Sequence, residues 1–301
     1  MSRPVGVPSA GVERGRGAGS WEGCVLVPLN GYRGGVDVLT RNNVTLTGRP
    51  DGQPVVFAHG FGCDQGMWRH VAPAFTRDHR VVLFDHVGAG GSDLTAYSPS
   101  RHGRLEGYAT DVTEILDALD LAPAIFVGHS VSAMIGVLAA VDRPERFERL
   151  VLVCPSPRYI DDGDYRGGFS QAEIDELLET MDGNYLGWSV HIAPVIMGAP
   201  ERPGLAAELA SSFCRSDPAI ARRFARTTFL SDNRTDLDRV RTPSLVLQCR
   251  HDAIAPREVG DYVHRHLRDS ELVVLDATGH CPNLSAPDQV VAAMRNYLAG
   301  M

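Results

Sequence analysis

Three residue types, far apart in the chain, carry the chemistry this sequence can perform. Ser130 stands in Gly128-His129-Ser130-Val131-Ser132, Asp252 follows Cys249-Arg250-His251, and His280 closes Ala277-Thr278-Gly279. A serine hydroxyl attacks a carbonyl only if a base takes its proton, and an imidazole does so best when a third group orients it. Serine, acid and histidine occur in that order, each after a strand-like run, which is one of the chain orders known for such triads. The expected chemistry is acyl transfer. Ser130 attacks, His280 takes the proton and returns it to the leaving oxygen, and Asp252 holds the imidazole. Two backbone amides, those of Phe61 in His59-Gly60-Phe61-Gly62 and of Val131, are the expected oxyanion donors.

The serine must be presented sharply. Ala124-Ile125-Phe126-Val127 is short and rich in branched and aromatic residues, and so reads as a buried strand. Ala133-Met134-Ile135-Gly136-Val137-Leu138 reads as a buried helix. A tight turn between them strains the serine backbone and requires small residues two before and two after it. Gly128 meets this requirement. Ser132 stands where glycine is usual, a mild departure. Taken alone, the five residues are equally consistent with Ser130 capping the helix; its partners decide in favour of the nucleophile.

Other candidates have plainer readings. His59, His86 and His129 adjoin loops and read as braces. His251 neighbours the acid but points away in an extended segment. His191 is either exposed or pocket-lining. Asp85 precedes the serine, which is the wrong order for the acid, and Asp276 is only four residues from His280. Gly88-Ala89-Gly90-Gly91 lacks the third glycine of a phosphate loop, because Asp93 occupies its place, so it reads as a turn.

The positioning elements follow in chain order. Short β-like pieces are expected at Cys24–Val27, Val36–Leu39, Val44–Thr47 and Val55–Ala58, and then a helix from Met67 to Phe75. A strand at Val81–Phe84 and an amphipathic helix at Leu105–Leu119 precede the serine turn, and Leu150–Val153 is the next strand. From Pro157 to about Asp232 the alternation gives way to four helices: Gln171–Tyr185, Leu186–Met197, Leu205–Cys214 and Ala219–Phe229. Strands at Ser244–Gln248 and Glu271–Leu275 then alternate with helices at Arg257–Leu267 and Gln289–Leu298. This order implies an α/β fold with a mostly parallel sheet and helices on both faces. The helical insertion becomes a lid over the carboxyl ends of the strands. The expected divisions are a disordered tail over 1–21, a core over 22–156 and 233–301, and a lid over 157–232.

Composition narrows the function further. Of 301 residues 44% are apolar and 22% charged, as in ordinary globular proteins. A net charge of −8 disfavours nucleic acid as partner. All 29 basic residues are arginine, which excludes lysine-dependent and Schiff-base mechanisms. The six cysteines (Cys24, Cys63, Cys154, Cys214, Cys249 and Cys281) lack metal-ligand spacing and suit a reducing cytoplasm. Neither a signal peptide nor a membrane span is recognisable. The residues require no cofactor and no metal.

A resemblance adds to this reading. Gly60-Phe61-Gly62-Cys63-Asp64-Gln65 with Met67-Trp68, the run from Gly128 to Gly136, and Arg143-Pro144-Glu145-Arg146-Phe147 carry it. So do Ser156-Pro157-Arg158-Tyr159, Tyr165-Arg166-Gly167-Gly168-Phe169, Asn184-Tyr185-Leu186-Gly187-Trp188 and Gly279-His280-Cys281-Pro282. Together they resemble the α/β-hydrolase branch that holds the bacterial stress-response regulator RsbQ and the plant karrikin and strigolactone receptors (the DLK type). Ser132 agrees with the plant-receptor form of the turn. The resemblance implies an α/β-hydrolase fold with a four-helix lid over an apolar pocket, walled by Phe61, Tyr159, Trp188, Ile192 and Phe229. Helical spacing independently places Trp188, Ile192 and Val195 on one face. Such a pocket suits a small apolar ester or lactone, butenolide-like in shape. The alternative is a signalling protein with slow hydrolysis that acts through a regulatory protein partner. Lyase or cofactor-free oxygenase chemistry stays open behind these two, whereas dehalogenase chemistry needs an aspartate where Ser130 stands.

Overall fold

The structure, a computed structural model, describes residues 37–300. The tail, the piece at Cys24–Val27 and Cys24 itself lie outside the described residues. Among the described residues the seven strands are β1 (Thr45–Gly48), β2 (Gln53–Ala58), β3 (His79–Phe84), β4 (Ala124–His129), β5 (Phe147–Val153), β6 (Ser244–His251) and β7 (Ser270–Thr278). They form one sheet in the order β1-β3-β2-β4-β5-β6-β7. Only β1 runs antiparallel to its neighbour; every other pair is parallel.

Strand alternation divides the core into two layers. Val55, Phe57, Val81, Leu83, Ile125 and Val127 point into one apolar cluster, and Val56, Ala58, Val82, Phe84, Ala124 and Phe126 into the other. Both faces are therefore covered, as a parallel sheet requires. The second face receives α1 (Leu105–Ala118), which buries Leu105, Tyr108, Ala109, Val112, Ile115 and Leu116 at helical spacing. Beside it lies α2 (Val131–Asp142), buried along almost its whole length. Gly136 lets α2 approach the sheet, since a Cβ there would come 2.4 Å from the Phe126 ring.

The insertion consists of α3 (Gln171–Gly183), α4 (Tyr185–Met197), α5 (Pro203–Arg215) and α6 (Pro218–Phe229). Its boundaries are chemical. Ser170 and Glu173 form a reciprocal capping box on α3, Asn184 and Asp217 cap α4 and α6, and Pro203 and Pro218 open α5 and α6. Ile174, Leu178, Met181, Trp188, Phe213 and Phe229 continue the first apolar cluster into these helices, so the insertion shares its core with the sheet. The chain then re-enters the sheet through β6, α7 (Arg257–His266), β7 and α8 (Pro287–Leu298).

Two local expectations are corrected. The helix expected from Met67 to Phe75 is two separate 3-10 turns, Gln65–Trp68 and Ala72–Phe75. Pro73 removes an N–H and disfavours helical geometry in the residue before it. Within the strand expected at Val36–Leu39, whose first residue lies outside the described residues, the chain instead forms a helical turn, Val38–Arg41, because the Asp37 carboxylate caps it by accepting from the Leu39 N–H.

Candidate active site

The turn after β4 is sharp. Ser130 has φ 57° and ψ −122°, a conformation that costs a non-glycine residue on the order of 1–3 kcal/mol. Two backbone bonds hold it there: its N–H donates to the Val153 carbonyl at 2.8 Å, and its carbonyl accepts from Ala133 at 2.9 Å. Gly128 is indispensable to the turn, because a Cβ would lie 2.4 Å from the Ser132 carbonyl oxygen.

His280 and Asp252 come to this serine from the ends of β7 and β6. The Ser130 Oγ lies 2.7 Å from the His280 Nε2, and the His280 Nδ1 lies 2.7 Å from an Asp252 carboxylate oxygen. A carboxylate only accepts, so Nδ1 carries the proton and Nε2 offers its lone pair to the Ser130 hydroxyl. The other Asp252 oxygen accepts from the Ile254 and Ala255 amides at 2.8 and 3.1 Å. Burial on its own pushes the Asp252 carboxyl up. The His280 charge and hydrogen bond, with the two amides, outweigh that and hold it below its ordinary value, so it stays ionised.

The histidine is also held by its backbone. Its N–H donates to the Ile196 carbonyl in the last turn of α4, and its carbonyl accepts from the His129 Nε2, both at 2.7 Å. Burial, then the neighbouring His280, lowers His129 to about 3, so it is a neutral donor. Gly279 permits this closeness: it sits at φ 91°, and a Cβ would meet the Met197 carbonyl oxygen at 2.0 Å.

The remaining expected residues fall as follows. The Val131 amide is the first of α2 and has no carbonyl of its own helix to bond. Gly60 brings the Phe61 peptide against the serine, since a Cβ on Gly60 would come 3.3 Å from the Ser130 Cβ and 2.5 Å from the His129 Nδ1. Among the described residues neither amide is drawn into a turn or loop hydrogen bond. Phe61, Tyr159, Trp188, Ile192 and Phe229 line one narrow cavity with Ser130 and His280. The Tyr159 hydroxyl is 3.5 Å from the Ser130 Oγ, and burial pushes it up to about 12. Val195, placed on this face by helical spacing, is exposed, and Ile196 lines the cavity instead. The helix runs unbroken through Pro194, and its cavity side follows Trp188, Ile192 and Ile196 at intervals of four, which leaves Val195 one position off that line.

Other lining residues escaped the sequence reading. Phe213 of α5 packs on Phe61 and Trp188, with ring centroids 5.8 and 5.3 Å apart. Its spacing from Leu209, which also lines the cavity, was the available signal. The competing candidates lie elsewhere. Asp85 accepts from the Gln65 and Gly91 amides and the Asn43 side chain, and so ties loops together. Asp276 is exposed and pairs with Arg250, while His191 and His251 are exposed. Cys154, Asp252 and His280 are the one set of three possible metal ligands within 4.8 Å of one another among the described residues. The Asp–His bond already occupies two of them, and burial raises the Cys154 thiol well above its ordinary value, which opposes a thiolate ligand. Among the described residues no helix is long and apolar enough to cross a membrane.

A serine on a strained strand-to-helix turn, at the carboxyl end of the central strand of a mostly parallel sheet, is the arrangement of α/β hydrolases. Residues 55–293 match the alpha/beta hydrolase family, and the chain belongs to it. Among its relatives, it is 40% identical over 258 residues to the karrikin insensitive 2 receptor CA of Petunia hybrida, covering 85% of this chain and 95% of that one. It is 38% identical over 263 residues to the strigolactone esterase D14 of Arabidopsis thaliana, covering 87% and 98%. The fold superposes on a hydrolase from Oleispira antarctica with a TM-score of 0.86 at 39% identity, covering 92% of this chain and 100% of that chain.

Proposed function

We propose that this α/β hydrolase cleaves small apolar esters or lactones through an acyl-enzyme on Ser130. The observation that carries the reading is the unbroken hydrogen-bonded chain from Ser130 through His280 to Asp252 at the wall of an apolar cavity. The His280 Nε2 takes the serine proton as Ser130 attacks the carbonyl. The Phe61 and Val131 amides stabilise the oxyanion. The imidazolium, held by Asp252, then protonates the leaving oxygen, and water releases the acid by the same route. The cavity walls are aromatic and aliphatic, which favours neutral substrates and penalises charged ones. The ester named for the strigolactone esterase fits this class, and a butenolide ring is the substrate shape we assign. The reading places the protein in the cytoplasm, where buried thiols such as Cys154 and Cys249, with Sγ atoms 3.7 Å apart, stay reduced.

A second reading is a receptor that hydrolyses slowly and signals through a protein partner. It draws on the relatives named as receptors and on α4, which exposes Leu186, Val190 and Val195 on the outside of the lid while its inner side lines the cavity. Turnover of a fluorogenic butenolide and a short-chain aryl ester, followed with intact mass, separates the two. Repeated turnover that disappears in Ser130→Ala supports the hydrolase. One burst with a persistent adduct supports the receptor. Equal turnover in Ser130→Ala overturns both.

A further inference from the structure

Ser132 occupies the place two after the nucleophile where glycine is usual, and its side chain is not idle. It is fully buried, as are His59 and His86. The Ser132 hydroxyl donates to the His59 carbonyl. With its proton so used, the Ser132 Oγ accepts from the His86 Nε2–H at 2.7 Å. The His86 backbone N–H donates to the His59 Nε2 at 3.0 Å, which leaves the His59 Nδ1–H to donate to the Gly60 carbonyl at 2.8 Å. Every tautomer is fixed by its partners, and the bonds close into a ring. Burial keeps the His86 imidazole well below its ordinary value, so His86 is neutral.

The ring joins three separate elements: the first turn of α2, the loop after β3 and the loop after β2. Both of its ends on the last of these bind the peptide groups that flank Gly60. The Gly60 carbonyl belongs to the same peptide as the Phe61 N–H. A group that grips that carbonyl therefore sets the direction of that amide.

We propose that Ser132, with His86 and His59, is a positioning unit that aims the Phe61 amide at the oxyanion formed on Ser130. This rests on the reading of Phe61 as an oxyanion donor and deepens it. Ser132 touches no substrate. It acts through the His59 carbonyl and through His86, so its removal alters transition-state binding more than ground-state binding.

The test compares the wild type with Ser132→Ala, His86→Ala and their combination on a short-chain aryl ester. Affinity for a small alkyl boronic acid, which forms a tetrahedral anion on the serine, is measured alongside. We expect Ser132→Ala to lower kcat about tenfold to 10²-fold, the range for a misaimed donor, with KM within about threefold. Boronate affinity falls by a similar factor, and the double variant loses no more than the worse single one. Full kcat in a folded Ser132→Ala overturns the proposal. So does a loss of kcat with unchanged boronate affinity, or losses that multiply in the double variant. If Ser132→Ala does not fold, Ser132→Gly, the residue usual at this place, carries the same comparison. Ser130→Ala runs in parallel. Turnover that needs Ser130 but ignores Ser132 overturns only this inference, whereas turnover that ignores Ser130 overturns the hydrolase reading with it.

Discussion

At the scale of single residues, the site depends on which nitrogen of His280 carries the proton. The acceptor-only Asp252 carboxylate, held ionised, puts that proton on Nδ1 and leaves Nε2 as a base 2.7 Å from the Ser130 Oγ. Asp252→Asn keeps the shape but presents an amide that can donate to Nδ1. The proton then moves to Nε2, where it faces the serine hydroxyl and the base is lost. We expect kcat for an aryl ester to fall about 10³–10⁴-fold with little change in KM. Steady-state kinetics at neutral pH check this, and a loss below tenfold contradicts the assigned role of Asp252. His129 works at the same scale from the opposite side. Its Nε2–H donates to the His280 carbonyl, and the sequence showed only that a histidine preceded Ser130.

At the scale of elements, the helical insertion that we read as a lid and the proposed triad share a joint. The last turn of α4 supplies the Ile196 carbonyl to the His280 N–H, and Gly198, the left-handed C-cap of that helix, lies against Gly279. A Cβ on Gly198 would stand 2.8 Å from the Gly279 Cα. On its far side the lid is tied by the Ser212 hydroxyl, which donates to the Gly62 carbonyl, and by the Arg215–Asp64 ion pair. Gly279→Ala drives a methyl group into the Met197 carbonyl at a positive φ. We expect it to cost about 1–3 kcal/mol of stability and, by shifting His280, to lower kcat about 10²-fold. Thermal melting and kinetics on the same preparation decide; an unchanged kcat in a destabilised protein refutes the joint. The joint also marks where the sequence stopped being legible. Strands such as Val55–Ala58 and the helix from Leu105 were readable because alternation and helical spacing reflect burial directly. Ser130, Asp252 and His280 were readable as candidates because the chemistry proposed for them admits few substitutes, and the fold brings them into hydrogen-bond contact. Backbone carbonyls have no residue signature, so the Ile196 contact could not be read. Neither could the broken turn at Pro73, where a proline overrides periodicity, or the exposure of Val195, since spacing alone admits both Val195 and Ile196 beside Ile192.

At the scale of the whole molecule, two buried neutral histidines make stability depend on pH. Burial, then neighbouring histidines, lowers His129 to about 3 and holds His86 well below its ordinary value of 6.5. A base with a depressed folded value takes up its proton first in the unfolded chain. Above about pH 6.5 neither state binds the proton and the stability is complete. As pH falls from 6.5 toward 3, the unfolded chain gains the protons alone and is favoured, by up to about 1.4 kcal/mol per pH unit for each histidine. Asp252, whose folded value is also depressed, acts in the same direction but only below its ordinary 3.8, outside the pH 4.5–6 range over which the histidines are compared. Substituting His129→Gln keeps a donor near the His280 carbonyl and removes the titrating group. Urea unfolding between pH 4.5 and 6 then shows a slope of stability against pH that is shallower than the wild type's by about 1.4 kcal/mol per unit. Equal slopes in the two proteins contradict a neutral, buried His129. In that case its Nε2 is not the fixed donor on which the backbone of His280 depends.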